Sequence, residues 1–557
     1  MNIFLTVIAS LVGVIVLFLA ITWIMSLTPS PNFNPAVYTP QRPSVWPTRG
    51  FQISAPEKQG MDSRKLIQIA EFHQKAHKRN PDVSVDSISI YRHGVNVANF
   101  VFNPLYTKDE LHVIHSVTKS IMSALIGIAV EKDFIDSVDT PFVDFFPGKQ
   151  ETIKDERMRT VRLKDLLSMQ TGIRSRDYAL YRWEGLFDMQ KSDDWVSYIM
   201  GLPLDAEPGT RYDYSNMSSF LLSAIIAETT GMDTLSFARK HLFDPLGIKD
   251  VRWEVSPQGY HMGYARMWLK PDDMAKIGLL YLQKGYWDGA QIISEAWVTE
   301  SVTPHAFPKN LVDVMDADGN KDKRLTTAQW RGANFVRPFT DGYGYQWWLD
   351  KDGSYSAVGV SGQYVMVVPQ QNLVIAITSS SSRLGVFFPR KILDRFILPS
   401  IKGDGPLPEN KPALETLRQF ETPPAPPVIE VQNQELPAIG QVISGQVYTL
   451  EENRWDYDNF SLKFDGEKKE AMFSFSERGQ KPIQIVVGLD GKYRFTETEV
   501  SRFAARGRWI EESAFELEYQ QIGYSAPVRF TFSFAGNTIQ VLEESLTGNL
   551  SYRGKTG

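Results

Sequence analysis

A proline-rich segment after residue 402 divides this chain into two parts that must fold differently. "GDGPLPENKPALETLRQFETPPAPP" (Gly403–Pro427) has the composition of a linker. Before it, helical and strand-like patterns are mixed. After it, runs such as "FSLKFDG", "AMFSFSERG" and "VRFTFSFAGN" largely alternate apolar and polar residues and end at Gly-containing turns. A chain of 557 residues is also too long for one ordinary core, so we expect separate folding units.

The N-terminal region predicts a membrane anchor. The first 41 residues carry no charged side chain, and "IFLTVIASLVGVIVLFLAITWIMSL" (Ile3–Leu27) is long and apolar enough to cross a bilayer as a helix. A cleaved signal peptide is the alternative, but it usually has a basic start and a shorter apolar core. We therefore expect an uncleaved anchor over residues 1–28, followed by an extended, proline-containing tether over 29–50.

The remaining patterns predict an α+β domain and an all-β domain. "VDSISIYRHGVNVANFVFN" alternates and turns at His93-Gly94, which indicates a strand hairpin, and residues 116–285 are mostly helical. Four strand-like runs follow, "YGYQWWLD", "YSAVGV", "GQYVMVVP" and "NLVIAITSS", and then the helical "FFPRKILDRFILPSI". We expect one mainly antiparallel sheet with helices in residues 51–402, a linker in 403–437, and a small antiparallel barrel or sandwich in 438–557.

Composition excludes several classes of function. The net charge of −6 is small for this length and gives no reason to expect a nucleic-acid partner. The absence of cysteine excludes disulfides, cysteine nucleophiles and thiolate metal sites. His112 and His115 have a His-x-x-His spacing that could hold zinc, but no third ligand lies nearby in the sequence. We take these histidines as structural and expect no metal or cofactor.

The stretch "HVIHSVTKSIMSAL" (His112–Leu125) contains a candidate nucleophile. Positions three apart share a helix face, so the amine of Lys119 can point at the hydroxyl of Ser116. A serine needs such a base to become a nucleophile, and a buried lysine can remain neutral. At a helix start, the backbone N–H of Ser116 is also free to face an oxyanion. Ser-x-x-Lys recurs by chance in long chains, so an ordinary helix start is the alternative.

A second polar cluster lies about a hundred residues further on, in "PGTRYDYSNMSSF". A tyrosine at such a turn, here Tyr214, can act as a general base if neighbouring cations hold its phenolate. Asn216 can donate to a substrate carbonyl and contact the lysine. A turn tyrosine followed by a helix-capping asparagine is the alternative explanation.

These motifs together resemble the serine β-lactamase and penicillin-binding-protein-like superfamily. The resemblance is to the branch of class C β-lactamases, family VIII esterases, D-aminopeptidases and 6-aminohexanoate-dimer hydrolases, and it covers residues 51–401. "SVTKS" resembles the first motif and "YSN" the second, in the expected order, and "VRLKDLLSMQTGI", "ARMWLKPDDMAKIGLLYLQKG" and "YGYQWW" also match. The resemblance implies that Ser116 is acylated by an ester or amide, that Lys119 and Tyr214 share the proton transfers, that Asn216 positions substrate, and that water completes hydrolysis.

The third motif departs from this family. "SAVGVSGQYVMVVP" (Ser356–Pro369) has Ala357-Val358-Gly359 where β-lactamases carry Lys-Thr-Gly or His-Thr-Gly. The missing cation argues against efficient β-lactam turnover. The strand's backbone can still complete an oxyanion hole, with Val360 as the main candidate and Gly359, Gly362 and Gln363 beside it. A literal Lys-Thr-Gly at residues 555–557 follows the β domain, and we interpret it as a coincidence.

Three functional hypotheses follow from these features. The first is a membrane-anchored serine hydrolase that acts on a small ester or amide, with its catalytic domain on the periplasmic side of a bacterial inner membrane, as is usual for this family. The second is a cell-wall D-peptidase or weak β-lactamase. The third is a non-catalytic sensor or scaffold that retains the fold. The sequence does not indicate an oligomeric state.

Overall fold

The computed structural model describes residues 38–81, 83–178, 182–308, 342–381, 388–431, 435–453, 455–477, 479–499, 501–545 and 548–557. The predicted anchor at 1–28 and the first part of the predicted tether lie outside these ranges. Within them, no helix combines the length and the apolar composition needed to cross a bilayer.

The helices, in chain order, are α1 (Ser63–Arg79), α2 (Val117–Glu131), α3 (Leu163–Leu167), α4 (Glu184–Gln190), α5 (Trp195–Met200), α6 (Asn216–Thr230), α7 (Thr234–Ala238), α8 (Pro271–Leu282), α9 (Glu295–Ser301), α10 (Phe388–Ile392), α11 (Leu398–Ser400), α12 (Lys411–Arg418) and α13 (Ala438–Ile443). Side-chain caps define several starts: Asp62 accepts from the N–H of Arg64 at α1, and Ser215 accepts from the N–H of Ser218 at α6.

The strands, in chain order, are β1 (Val85–Arg92), β2 (Val95–Val101), β3 (His112–Val113), β4 (Asp177–Tyr178), β5 (Arg182–Trp183), β6 (Arg252–Trp253), β7 (Met267–Leu269), β8 (Tyr286–Trp287), β9 (Ala290–Gln291), β10 (Gly342–Tyr343), β11 (Trp348–Leu349), β12 (Tyr355–Gly359), β13 (Gln363–Val368), β14 (Leu373–Ser379), β15 (Val447–Leu450), β16 (Tyr457–Asp465), β17 (Glu470–Glu477), β18 (Ile483–Gly488), β19 (Arg494–Glu497), β20 (Arg502–Glu511), β21 (Ala514–Gln521), β22 (Val528–Ala535), β23 (Thr538–Ser545) and β24 (Gly548–Thr556).

The described part of the first domain has a seven-stranded antiparallel sheet at its centre, in the order β10-β11-β12-β13-β14-β1-β2. The predicted hairpin is confirmed as β1 and β2, and its turn uses the positive φ angles of His93 and Gly94. The early hairpin joins the later strands because β1 pairs with β14, with Ile88 opposite Ile377. The predicted α+β class is therefore confirmed.

Two apolar clusters cover the two faces of this sheet. Along β14, Val374 and Ala376 belong to one cluster while Ile375 and Ile377 belong to the other, because successive strand residues point to opposite faces. The first cluster joins the sheet to the helical layer of α2, α6 and α8, and the second joins it to α1 and α10. Helix α2 is thus enclosed on all sides, which explains why almost all of its residues are buried.

Part of the predicted linker is helical, which its composition did not indicate. Helix α12 forms within it and buries Leu417 in the second cluster. Asn410 is its N-cap, and the Asn410 side chain accepts from the N–H of Ala413. Upstream, the guanidinium of Arg92 donates to the carboxylate of Asp404 at 2.8 Å. The segment therefore contacts the first domain at Asp404 and at Leu417. The signal was present in Asn410-Lys411-Pro412, a cap followed by an N-terminal proline.

The second domain is a closed antiparallel barrel, which decides between the two predicted all-β forms. Its strand order is β18-β17-β16-β15-β24-β23-β22-β21-β20, and a parallel contact of Gly488 with Arg506 closes the ring, while β19 pairs outside it with β20. Alternate residues fill the interior, as on β22, where Phe530, Phe532 and Phe534 are buried.

Candidate active site

Ser116 lies at the mouth of a polar cluster, at the N-cap position of α2. Its side chain makes no capping bond there, and the residue is only half-buried, although the helix that follows is enclosed. The N–H groups of Val117, Thr118 and Lys119 already donate to the carbonyl oxygens of Ile114, His115 and Ser116. The N–H of Ser116 itself makes no hydrogen bond among the described residues, so the candidate backbone donor beside the hydroxyl is that of Ser116.

The amine of Lys119 connects this hydroxyl to two other parts of the chain. Its Nζ atom lies 3.0 Å from the Oγ of Ser116, 2.8 Å from the Oδ1 of Asn216 and 2.8 Å from the carbonyl oxygen of Tyr264. The last two partners are oxygens that only accept hydrogen bonds. If the amine is neutral, its two N–H groups serve these acceptors and its lone pair faces Ser116.

Electrostatics favour that neutral form. Lys119 is 1% exposed, and burial lowers its pKa well below the ordinary value, while the negative charge of Asp177 opposes the shift. A neutral lysine one helical turn from a serine hydroxyl is a suitable general base.

Tyr214 joins the same cluster from the turn before α6. Its hydroxyl lies close enough to Ser116 to interact with it, and its ring stacks on that of Trp348 with centroids 5.8 Å apart. Burial raises the pKa of Tyr214, and the interaction with Ser116 only partly opposes the shift. The phenol therefore keeps its proton near neutral pH, so the expectation of a cation-held phenolate does not describe this resting site.

Asp177 is a site residue that the sequence reasoning missed. Its two carboxylate oxygens accept from the backbone N–H groups of Asn216, at 3.0 Å, and of Leu186, at 3.1 Å. It is 1% exposed, and burial raises its pKa to about 7 although both hydrogen bonds and Lys119 oppose the shift. Asp177 thus holds the start of α6 against α4 beside the lysine. A lone aspartate in "RSRDYALY" gives no spacing signal that would have revealed it.

The predicted third motif lies directly beside the nucleophile. Gly359 ends β12 in an extended conformation, and a Cβ built on it would lie 2.6 Å from the carbonyl oxygen of Ile114 and 3.1 Å from the Cβ of His115. Only glycine allows this approach. Val360 begins the next turn and is half-buried, so its backbone is at the edge of the same cluster.

The other residues of this motif have structural roles in the sheet. Gly362 has a φ of 92° and turns the chain into β13, while the side-chain amide of Gln363 bonds to the backbone of Ser379. Ala357 is buried on the face of β12 that packs toward the helical layer. Lys555 and Thr556 of the literal Lys-Thr-Gly belong to β24, in the barrel wall.

The histidines before the nucleophile have different surroundings. His112 is fully buried, with Nε2 2.9 Å from the Oδ2 of Asp86 and Nδ1 2.9 Å from the carbonyl oxygen of Val113. His115 is held neutral, because burial and the charge of Arg266 lower its pKa to about 3. Within the described ranges, no three metal-ligating side chains cluster together.

Sequence comparisons with known proteins identify a matching family and two similar enzymes. The sequence profile of the family described as beta-lactamase matches residues 77–396. The chain is 21% identical over 330 residues to the 6-aminohexanoate-dimer hydrolase of Paenarthrobacter ureafaciens, which is 57% of this chain and 78% of that protein. It is 29% identical over 102 residues to the N-acetylmuramyl-L-alanine amidase of Bacillus subtilis strain 168, which is 18% of this chain and only 23% of that protein.

Among solved structures, the octameric penicillin-binding protein homologue from Pyrococcus abyssi is similar to this chain over 89% of its length and over 100% of the homologue, with 17% identity and a TM-score of 0.43.

Proposed function

Because this chain belongs to the beta-lactamase family and is a serine hydrolase, we propose that it cleaves a small ester or amide through an acyl-enzyme on Ser116. The observation that carries the proposal is the set of three partners around the buried amine of Lys119. Two fixed acceptors, on Asn216 and Tyr264, orient the amine, and its third position faces the hydroxyl.

The first step follows from this arrangement. As the Oγ of Ser116 bonds to the substrate carbonyl carbon, its proton passes to neutral Lys119, and the carbonyl electron pair moves onto oxygen. The backbone N–H groups of Ser116 and Val360 are the proposed donors to that oxyanion. Preorganised donors of this kind stabilise charge at the place where it develops.

The second step needs a proton on the leaving group. Tyr214 is a suitable donor, because burial keeps its phenol protonated and its hydroxyl lies near Ser116. When the bond from carbon to the leaving oxygen or nitrogen breaks, the phenol proton passes to that atom, and the ammonium of Lys119 restores the phenol. Water then attacks the acyl-enzyme by the reverse path, with Lys119 again as base.

The substrate class is inferred partly from the third motif. Ala357 supplies no cation, which disfavours β-lactams and cell-wall peptides that present their carboxylate to this strand. The relative from Paenarthrobacter ureafaciens is named for hydrolysis of a 6-aminohexanoate dimer, which supports the ester and amide branch.

We also propose that Ile3–Leu27 anchors the enzyme in a membrane with its catalytic domain on the extracytoplasmic side. The support is the uncharged apolar run in the sequence. Protease accessibility in intact cells and spheroplasts tests this: degradation in spheroplasts is expected, and protection there would contradict it.

The proposed reaction is tested by hydrolysis of 4-nitrophenyl acetate and of nitrocefin by the purified enzyme. We expect turnover of the ester, abolished by Ser116→Ala, and little turnover of nitrocefin. Rapid nitrocefin hydrolysis would contradict the proposed substrate class. Absence of ester and amide hydrolysis would contradict the proposed function.

A further inference from the structure

The barrel contributes a side chain beside the nucleophile. In the loop between β21 and β22, the carbonyl oxygen of Gly523 accepts from the backbone N–H of Val113 at 2.7 Å, so this loop is bonded to β3. The next residue, Tyr524, places its ring centroid 6.1 Å from that of His115, which directly precedes Ser116. The barrel therefore takes part in forming the rim of the candidate active site.

Arg266 lies on the same rim, next to the nucleophile segment. Strand β7 is antiparallel to β3, and the N–H of Ile114 donates to the carbonyl oxygen of Met267 at 2.9 Å. Arg266, just before β7, is consequently level with His115. Its guanidinium carbon lies 5.3 Å from the centroid of the Tyr524 ring, within the range of a cation–π contact.

The hydrogen-bonding capacity of this guanidinium is not used within the described chain. None of the described side chains or backbone groups forms a hydrogen bond with it, and the side chain is 39% exposed. One carboxylate lies near: the Oε2 of Glu254 is 3.9 Å from Nε, too far for a hydrogen bond. Glu254 also lies 3.4 Å from the guanidinium of Arg252, and Glu477 of the barrel contributes negative charge at longer range.

The backbone of Arg266 is also unusual. Its φ angle is 59°, a left-handed conformation that is strained for a residue with a side chain and persists only where the surrounding structure maintains it. Two other residues near the site share this feature. His115, directly before Ser116, has a φ angle of 44°, and Ser361, directly after Val360, has a φ angle of 67°. Such strain tends to cluster at functional sites.

We propose that Arg266, backed by the ring of Tyr524, binds a carboxylate carried by the substrate. This inference rests on the proposed hydrolysis at Ser116 and narrows its substrates to anionic esters or amides. A guanidinium stacked on an aromatic face keeps its edge free, and that planar fork of N–H groups matches the two oxygens of a carboxylate. Arg266, just before β7, thereby supplies the positive charge that β12 lacks because it has alanine at position 357.

Two pairs of esters test the proposal. 4-Nitrophenyl hexanoate and mono-4-nitrophenyl adipate differ by a carboxylate on the acyl side, and phenyl acetate and 3-carboxyphenyl acetate differ by one on the leaving side. In at least one pair, we expect the wild type to prefer the charged member. Arg266→Gln should raise KM for that member roughly tenfold to a hundredfold and leave its neutral counterpart nearly unchanged.

Three further variants separate binding from structure. Arg252→Gln removes a neighbouring guanidinium that also pairs with Glu254, and it should not change KM selectively for the charged esters. Tyr524→Phe should behave as wild type because the ring remains, whereas Tyr524→Ala should show a smaller selective loss than Arg266→Gln. Equal effects of Arg266→Gln on both members of both pairs, or no preference for either charged ester in the wild type, would overturn the proposal. Neutral-ester turnover reports on the proposed function separately.

Discussion

The amine nitrogen of Lys119 lies 3.0 Å from the hydroxyl oxygen of Ser116, one turn back along α2. Two carbonyl oxygens fix the same amine from the other side. Because burial favours the uncharged form, this pair has the geometry and the electrostatics of a nucleophile with its base.

Replacing Lys119 by arginine tests whether the amine must be neutral. Arginine keeps a positive charge but cannot lose its proton at any ordinary pH, so it cannot act as the base. We expect both Lys119→Arg and Lys119→Met to slow acylation about 10²–10⁴-fold, measured as the pre-steady-state burst with a 4-nitrophenyl ester. Near-normal acylation by the arginine variant would mean that the lysine acts as a fixed charge.

Tyr214→Phe tests the role of the phenol as a proton donor. 4-Nitrophenolate leaves as a stable anion, whereas an alkoxide or amine needs a proton. We therefore expect the variant to lose far more activity on alkyl esters and amides than on 4-nitrophenyl esters. The ring is kept, so the stack on Trp348 should persist.

Tyr212→Phe is the matched control for that variant. The Tyr212 hydroxyl is buried without a hydrogen-bond partner among the described residues, so its removal should be neutral or slightly stabilising. If the Tyr214→Phe variant lost the same fraction of activity on every substrate, this result would argue against proton donation to the leaving group.

Asp177→Asn should move the pH dependence of kcat/KM. Activity requires neutral Lys119, so the rate falls as pH decreases through the pKa of the amine. The carboxylate of Asp177 favours the ammonium and raises that pKa, although burial dominates and lowers it. Without the carboxylate the pKa falls further, and the acid limb should shift to lower pH.

Asp213→Asn serves as the control for Asp177→Asn. Asp213 is another mostly buried carboxyl, with its pKa raised to about 6 by burial, and it does not contribute to the pKa shift of Lys119. Asp213→Asn should therefore leave the acid limb of the kcat/KM profile at the same pH. An unchanged limb in Asp177→Asn, with activity merely reduced, would assign Asp177 a purely structural role.

Gly359→Ala tests the contact between β12 and the nucleophile segment. The added Cβ would meet the carbonyl oxygen of Ile114 at 2.6 Å, so the strand must move away. We expect a loss of roughly 1–3 kcal/mol in the free energy of unfolding in urea, together with reduced kcat. Gly148→Ala, where a Cβ meets nothing within 4 Å, should change neither, and equal behaviour of the two variants would refute the close approach.

Helical spacing alone predicted that Lys119 would reach Ser116, because positions three apart share a face regardless of what surrounds them. That Tyr214 and Asn216 come to the same point depends on packing α6 against α2, and the sequence indicated it only through motif resemblance. Asp177 could not be found, since its role depends on two backbone N–H groups from distant elements.

The same difference between local patterns and tertiary packing applies to the fold. Alternation and turn residues predicted the β1–β2 hairpin and the all-β domain, because these are local patterns. Composition misjudged part of the proline-rich segment, where tertiary packing of Leu417 stabilises α12. The docking of Gly523 and Tyr524 beside His115 had no sequence signal, because it depends on how two domains meet.

The most direct test of the account is to map the covalent adduct formed with a fluorophosphonate probe by intact mass and peptide sequencing. Ser120→Ala is the control, since Ser120 lies one turn further along α2 and donates to the carbonyl oxygen of Gln346. We predict one adduct, on Ser116, in the wild type and in Ser120→Ala, and none in Ser116→Ala. Labelling of Ser116→Ala at the same rate, or an adduct on another residue of the wild type, would contradict the account.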